Sequence, residues 1–394
     1  MPYEVVVEHD VMVAVSDGIR SACDVYRPAA PEKFPVLLER TPYGKGHTSR
    51  SEISRRHPEH AKSRAEVAAL FVQRGYVMIY QDCRGRYGSE GVFQKYLAEA
   101  ADGYDTCAWI VQQPWCNGRI GTMGLSYAAH TQMALASLNP PGLAAMFVDC
   151  GGFSNAYQSG IRQGGAFELK QATWAYNNAL RSPAVRSDTQ RRATLEAVDL
   201  RHWFANMPWR PGHSPVTATP EYEDYLFEQW THGTFDDYWA QPGLYAAGYY
   251  AQCADVPQVH LSAWYDPYAR TATENYQGLV ACKRGPVRLI LGPWTHGNRS
   301  FSYAGDVDFG PAATLDENLA PDFLTLRLRW FDRWLRGIQN GVETEPAVRV
   351  FVMGGGSGRR NTAGRLEHGG HWRPPLRQST LRRRQRAPGC QTLR

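Results

Sequence analysis

Short apolar runs alternate with stretches of helical spacing along most of the chain. VVVEHDVMVAVSDGIRSACDVYRP reads as strand, turn at Ser16-Asp17-Gly18 and strand, an antiparallel opening hairpin. FPVLLERTPY (34–43) and YVMIYQDCRG (76–85) are apolar runs ending in polar, Gly-bearing loops, with a polar helical stretch through Ala68 and Leu70 between them. A helix over AEAADGYDTCAWIVQQ, a strand at Ile120–Met123, a helix over TQMALAS and a strand at LAAMFVDCG follow. Strands written as unbroken apolar runs and separated by helices belong to a mostly parallel sheet covered on both faces. Between 151 and 240 this alternation disappears. Aromatics, Gln, Asn and Arg take over, with helical spacing in GGAFELKQATWAYNNALRS and TLEAVDLRHWFANM, so a helical insertion is expected. The sheet pattern resumes with PQVHLSAWYD (257–266), the helix ATENYQGLV and PVRLILGPW (286–294). FLTLRLRWFDRWLRG is an amphipathic helix with Phe323, Leu326, Trp330, Phe331 and Trp334 on one side. AVRVFVMGGG begins a further strand, after which Arg, Pro and Gly replace any alternation.

At 394 residues the chain exceeds one ordinary domain, and its apolar and aromatic content supports a large core. No apolar run is long enough to span a bilayer, so no membrane partner is expected. The opening MPYEVVVEHD carries acids where a signal peptide has its apolar centre, and the eight cysteines stand singly, without CxxC pairs. Both features predict a reducing, cytoplasmic location. The net charge of +5 belongs to the tail. The last 24 residues hold seven Arg and no acid, leaving 36 bases against 38 acids in the rest. A nearly neutral body without a basic stripe predicts no nucleic-acid partner.

In open α/β sheets the chemistry sits at the carboxyl ends of the strands. Ser126, in RIGTMGLSYAAHTQMALAS, follows one such strand and opens a helix. It is either a helix cap accepting a backbone N–H or a nucleophile on a strained turn. Asp266 follows the strand Val259–Ala263, and His296 follows Leu289–Leu291, thirty residues beyond the aspartate. The order Ser, acid, His is that of α/β-hydrolases. In that arrangement His296 takes the serine proton as the hydroxyl attacks a carbonyl, and Asp266 fixes the imidazole. Gly124 suits the crowded side of the turn, while Ala128 stands where G-x-S-x-G has its second glycine. The oxyanion calls for two donors. The backbone N–H of Tyr127 is one, and the Tyr43 hydroxyl in TPYGK, a loop without a Gly-Gly pair, is the other. Such chemistry needs neither metal nor cofactor.

The set ERTPYGK, YQDCRGRYGSEG, GTMGLSYAAHTQ, SAWYDPY and GPWTHGN resembles the cocaine esterase/NonD hydrolases, relatives of X-Pro dipeptidyl-peptidases, glutaryl-cephalosporin acylases and α-amino-acid ester hydrolases. The likeness covers residues 4–370. It implies a triad of Ser126, Asp266 and His296, with Tyr43 completing the oxyanion hole. It also implies a helical cap at the insertion and a C-terminal jelly-roll domain. The resulting expectation is an α/β-hydrolase core over 1–150 and 241–345, a cap over 151–240, and a truncated β domain with a basic disordered tail over 346–394. Its first strand, AVRVFVM, would lack partners and recruit further copies, giving homo-oligomers.

The expected substrate is a small-molecule ester or amide, with Trp174 and Trp264 as binding residues. Tyr176, Trp203 and Phe204 are further candidates for an acyl pocket, although aromatics at helical spacing also build cores. An X-Pro aminopeptidase would need acids for a substrate ammonium, for which Glu168, Glu221, Glu223 and Asp224 are available. A non-catalytic remnant acting as a binding protein is the alternative of another class. Asp149 also ends a strand and competes with Asp266. Asp82 and Arg84 are expected to pair and brace a loop, and His57-Pro58-Glu59-His60 reads as solvated loop rather than a metal site.

Overall fold

The computed structural model describes residues 2–282 and 285–373. Its centre is a ten-stranded sheet. The strands are β1 (Val5–Ala14), β2 (Arg20–Pro28), β3 (Phe34–Thr41), β4 (Val77–Asp82), β5 (Cys116–Leu125), β6 (Leu143–Asp149), β7 (Gln258–Tyr265), β8 (Val287–Thr295), β9 (Val348–Met353) and β10 (Gly370–Arg373). Their spatial order is 1-2-4-3-5-6-7-8-9-10. From β4 through β9 every neighbouring pair is parallel, and antiparallel pairs form both margins. All residues of β3 and β4 are buried, so each opens as an apolar run, and the polar residues at their carboxyl ends, Glu39, Arg40 and Thr41 in one and Gln81 and Asp82 in the other, are buried as well.

Helices cover both faces. On one side α1 (Arg64–Val72) and α10 (Phe323–Arg336) pack Phe71, Trp330, Phe331 and Leu335 against Leu37, Met78, Met123 and Ile290. On the other, α2 (Glu99–Val111), α3 (Tyr127–Ala136) and α9 (Ala269–Cys282) bring Ile110, Met133 and Leu279 onto Val36, Ile79 and Val148. Helix α1 starts on a complete capping box. The Ser63 hydroxyl accepts from the Glu66 N–H, and Glu66 answers at the Ser63 N–H.

Between β6 and β7 lie α4 (Lys170–Ala179), α5 (Pro183–Arg186), α6 (Thr189–Glu196), α7 (Leu200–Ala205) and α8 (Pro220–Thr231). Ala172, Ala175, Tyr222, Tyr225 and Leu226 from this segment share an apolar cluster with Phe93 and Tyr96 of the loop after β4 and Tyr127 of α3. The helices therefore sit over the end of the sheet where β3 and β5 finish.

Two expectations for the C-terminal part are corrected. Val348–Met353 is not an unpaired strand. It joins β8 in parallel, Leu289 opposite Val348 and Leu291 opposite Val350. Gly370–Arg373 then pairs with it antiparallel, Phe351 opposite Trp372. The free edge of β8 offered a full set of backbone partners, and Phe351, 1 % exposed, fills a small core with Phe309 and Trp372. Residues 371–373, expected as the start of a disordered tail, are strand. The rest of that tail, 374–394, lies outside the described residues.

Candidate active site

Strand β5 ends at Leu125, α3 begins at Tyr127, and Ser126 alone makes the turn with φ 63° and ψ −116°. Few non-glycine residues are held in such a conformation, at a cost of about 1–3 kcal/mol. Here the backbone fixes it. The Ser126 N–H donates to the Asp149 carbonyl at 2.9 Å, and the Ser126 carbonyl accepts from the N–H groups of Ala129 and His130. Its side chain makes no capping bond, so the hydroxyl is free of the helix. Glycines make the room. A Cβ on Gly124 would stand 2.5 Å from the Ala128 Cβ, and one on Gly151 would stand 2.5 Å from the Ser126 carbonyl. Gly151 was not singled out from the sequence. It supplies, two residues after β6, clearance for the Ser126 carbonyl and the Ala129 side chain.

His296 follows β8 and Asp266 follows β7, adjacent parallel strands whose ends lie side by side. The His296 Nδ1–H donates to Asp266 Oδ2 at 2.7 Å. A carboxylate only accepts, so this bond places the proton on Nδ1 and leaves the Nε2 lone pair for another partner. The second Asp266 oxygen accepts from the Tyr268 N–H at 2.7 Å, which locks the carboxylate. Cys150, Asp266 and His296 lie within 4.8 Å of one another. Burial pushes the Cys150 thiol well above its usual range, so it packs as a neutral group beneath the pair.

Tyr43 lies in the loop after β3. Its hydroxyl accepts a hydrogen bond from Trp174 Nε1 at 3.0 Å, and it lines the same cavity as Ser126. Burial raises the phenol above its ordinary value and keeps it a proton donor. The loop is held from several directions. Asp82 accepts from the N–H of Lys45 at 2.7 Å and of Gly88 at 3.2 Å, while Arg86 Nε donates to the Pro42 carbonyl at 2.9 Å. Asp82 and Arg84 thus do not pair with each other. Arg84 forks onto Asp102 instead, because Asp82 is already taken by backbone donors. The Tyr127 N–H opens α3, where a helix leaves its first donors without intrahelical acceptors.

Ser126, His296, Tyr43 and Trp174 line one cavity of about 600 Å³, together with Lys95 and Lys170. Trp264 does not. Its indole N–H donates to the Phe351 carbonyl at 2.9 Å, so it ties β7 to β9. Tyr176, Trp203 and Phe204 pack at the margin of the cap's apolar cluster. Asp149, the competing acid, accepts from Arg299 in a buried ion pair. Among the proposed ammonium holders, Glu223 is occupied by Ser214, Thr217 and Gly212, and Glu168 pairs with Lys170. None of Glu168, Glu221, Glu223 and Asp224 lines the cavity. His57 and His60 each face a glutamate on the exposed surface. Sequence reasoning missed Lys95, Arg86 and Arg299. Arg86 lies inside the string YQDCRGRYGSEG and Arg299 directly follows GPWTHGN, but nothing in either string marks the residue's partner.

A largely parallel sheet crossed by a strained serine turn at β5, with a His–Asp pair on the neighbouring strand ends, defines an α/β-hydrolase. The family model described as X-Pro dipeptidyl-peptidase (S15 family) matches residues 17–298. The chain belongs to that family. It is 31% identical over 356 residues to the cocaine esterase of Rhodococcus sp. (strain MB1 Bresler), a match covering 88% of this chain. That match takes in 58% of the relative's own length, so the chain spans little more than half of it. A CocE/NonD family hydrolase of Staphylococcus aureus superposes with TM-score 0.64 at 23% identity, covering 94% of this chain and 56% of that one. An α-amino acid ester hydrolase does so with TM-score 0.59 at 21% identity, covering 89% and 57%. No helix among the described residues is long and apolar enough to cross a membrane.

Proposed function

We propose that the chain is a serine hydrolase that cleaves a carboxylic ester or amide through an acyl-enzyme. The observation that carries the reading is Ser126 on its strained turn, sharing a cavity with His296 already oriented by Asp266. The Ser126 hydroxyl attacks the carbonyl carbon while its proton passes to His296 Nε2. The Tyr43 hydroxyl and the Tyr127 N–H hold the resulting oxyanion. Collapse breaks the bond to the leaving alcohol or amine, which takes the proton from His296. Water then repeats the sequence on the acyl-serine and restores the enzyme.

Release of X-Pro dipeptides is a second reading, favoured by the description of the matching family. It needs an acid for the free ammonium, and the four cap acids suggested by the sequence are turned to other partners or away from the cavity. The esterase reading is therefore preferred. A fluorophosphonate probe should label the purified chain, and Ser126→Ala should lose both labelling and turnover of p-nitrophenyl esters with an unchanged circular dichroism spectrum. Labelling that persists in the variant would move the nucleophile elsewhere. A parallel panel of X-Pro anilides decides between the two substrates.

A further inference from the structure

Strand β6 ends at Asp149, and Cys150 makes the next turn with φ 49°, in the left-handed region. Glycine enters that region freely, whereas a side chain such as cysteine pays about 1–2 kcal/mol. The Cys150 N–H holds the turn by donating to the Leu261 carbonyl of β7 at 2.7 Å. The thiol is thereby set beside the His296–Asp266 pair. One ligand atom from each of the three residues lies within 4.8 Å of the other two, and no other such group of histidine, cysteine and carboxylate side chains occurs among the described residues. The acyl-transfer steps above give this thiol no part.

A thiol, an imidazole and a carboxylate are donors that zinc and its softer neighbours select, while magnesium and calcium prefer oxygen alone. Tetrahedral zinc, with bonds of about 2.0–2.3 Å, sets its ligand atoms about 3.4–3.8 Å apart. His296 and Asp266 would open toward that spacing from 2.7 Å, and a pair as far apart as 4.8 Å would close by about 1 Å. Charge fits as well. The Cys150 thiol gives its proton to solvent and binds as the thiolate, which with the Asp266 carboxylate cancels the two charges of the ion, and the imidazole stays neutral. Arg299, the cation whose charge reaches Cys150, is already paired with Asp149.

The site has an entry. Cys150 and the Asp266 carboxylate are buried, but the His296 side chain is 36 % exposed and lines the cavity, where water can fill the fourth position. An ion held here leaves Ser126 without a base. Bound to Nδ1, it drives the ring proton to Nε2, and bound to Nε2, it takes the lone pair directly.

Resting on the hydrolase reading above, we infer that Cys150, Asp266 and His296 form an inhibitory site for a divalent cation of the zinc class, which shuts off hydrolysis at Ser126 reversibly.

Cadmium tests the binding, because its bond to a thiolate gives an ultraviolet charge-transfer band. The first equivalent should raise that band in the full chain and in Ser126→Ala but not in Cys150→Ser, and His296→Ala should bind the ion at least tenfold more weakly. Zinc tests the inhibition. In small excess it should slow p-nitrophenyl ester turnover at least tenfold, a chelator should restore the rate, and magnesium should leave it unchanged. Cys150→Ser, measured against its own zinc-free rate, should need at least tenfold more zinc for the same inhibition. A wild type without the band overturns the inference. So does a band, or a zinc sensitivity, that persists in Cys150→Ser with an unchanged circular dichroism spectrum. Equal cadmium binding by His296→Ala overturns it too, and does not depend on the cysteine variant folding. Should the wild type cleave no ester while the band still requires Cys150 and His296, the hydrolase reading fails and the cation site stands. Ester turnover indifferent to zinc removes the inhibitory site and leaves the hydrolase reading in place.

Discussion

Ser126, Asp266 and His296 differ in how readily each is replaced. Under the proposed chemistry, Asp266→Asn should lower kcat by on the order of 10⁴ with little change in KM, because it spoils the tautomer of His296 and removes no binding group. Asp149→Asn is the informative control. Its carboxylate neutralises Arg299 inside the fold, so the variant should lose stability, by about 3–5 kcal/mol, far more than it loses rate at room temperature. Denaturant midpoints and steady-state rates on both variants separate the two roles, and a larger kcat loss for Asp149→Asn would reassign the acid. Tyr43→Phe deletes one donor to the oxyanion and should cost on the order of 10²–10³ in kcat. A near-wild-type rate there would give the donor's place to a backbone N–H. These residues were legible in the sequence because each ends a strand in a recognisable string. Trp264 was named for the same reason. It stands two residues before Asp266 in SAWYD, but its indole N–H is engaged by the Phe351 carbonyl, which the local string could not show.

Among the elements, the strands that position the site were readable from their unbroken apolar runs, and the cap from the change in spacing after 150. What hydropathy could not supply was pairing. AVRVFVM has the same pattern whether it opens a new domain or closes an existing sheet, and the vacant edge of β8 decided the matter. Strand β7 carries a further consequence. His260 is fully buried, with its Nε2 3.3 Å from Gln258 Oε1, and burial pushes its pKa down to about 3. In the unfolded chain it protonates near 6.5. The fold holds it neutral, so its contribution is complete above about pH 6.5 and is lost as the pH falls from there toward 3. His260→Leu should therefore flatten the fall in unfolding free energy from urea titrations between pH 7 and pH 4, by on the order of 3 kcal/mol at the lower pH. Parallel curves for variant and wild type would show that the histidine titrates normally in the fold.

At the level of the whole molecule, the last described strands are structural. Strand β9 covers the edge of β8, anchors Trp264 through the Phe351 carbonyl and seats Phe351 against Trp372. Trp372 in turn donates to the Ala312 carbonyl and lies against Trp294 of β8. A chain ended at Gly341 would expose a parallel strand with its backbone unpaired. It should melt lower than the full chain and scatter more light, the opposite of what an unpartnered β9 would give. Equal melting temperatures and a monodisperse truncated form would show that the pairing contributes nothing.

The bond from Trp174 to Tyr43 has a bearing on how such an enzyme would choose its substrates. One partner belongs to the helical segment over the sheet, and the other to the loop that faces the reacting carbonyl. An acyl group that presses the indole aside does more than fit badly. It withdraws the support that aims the phenol, at the moment when negative charge builds on oxygen. Selection would then be exercised in the tempo of the reaction more than in the tightness of binding, with ill-fitting esters admitted and held yet opened slowly.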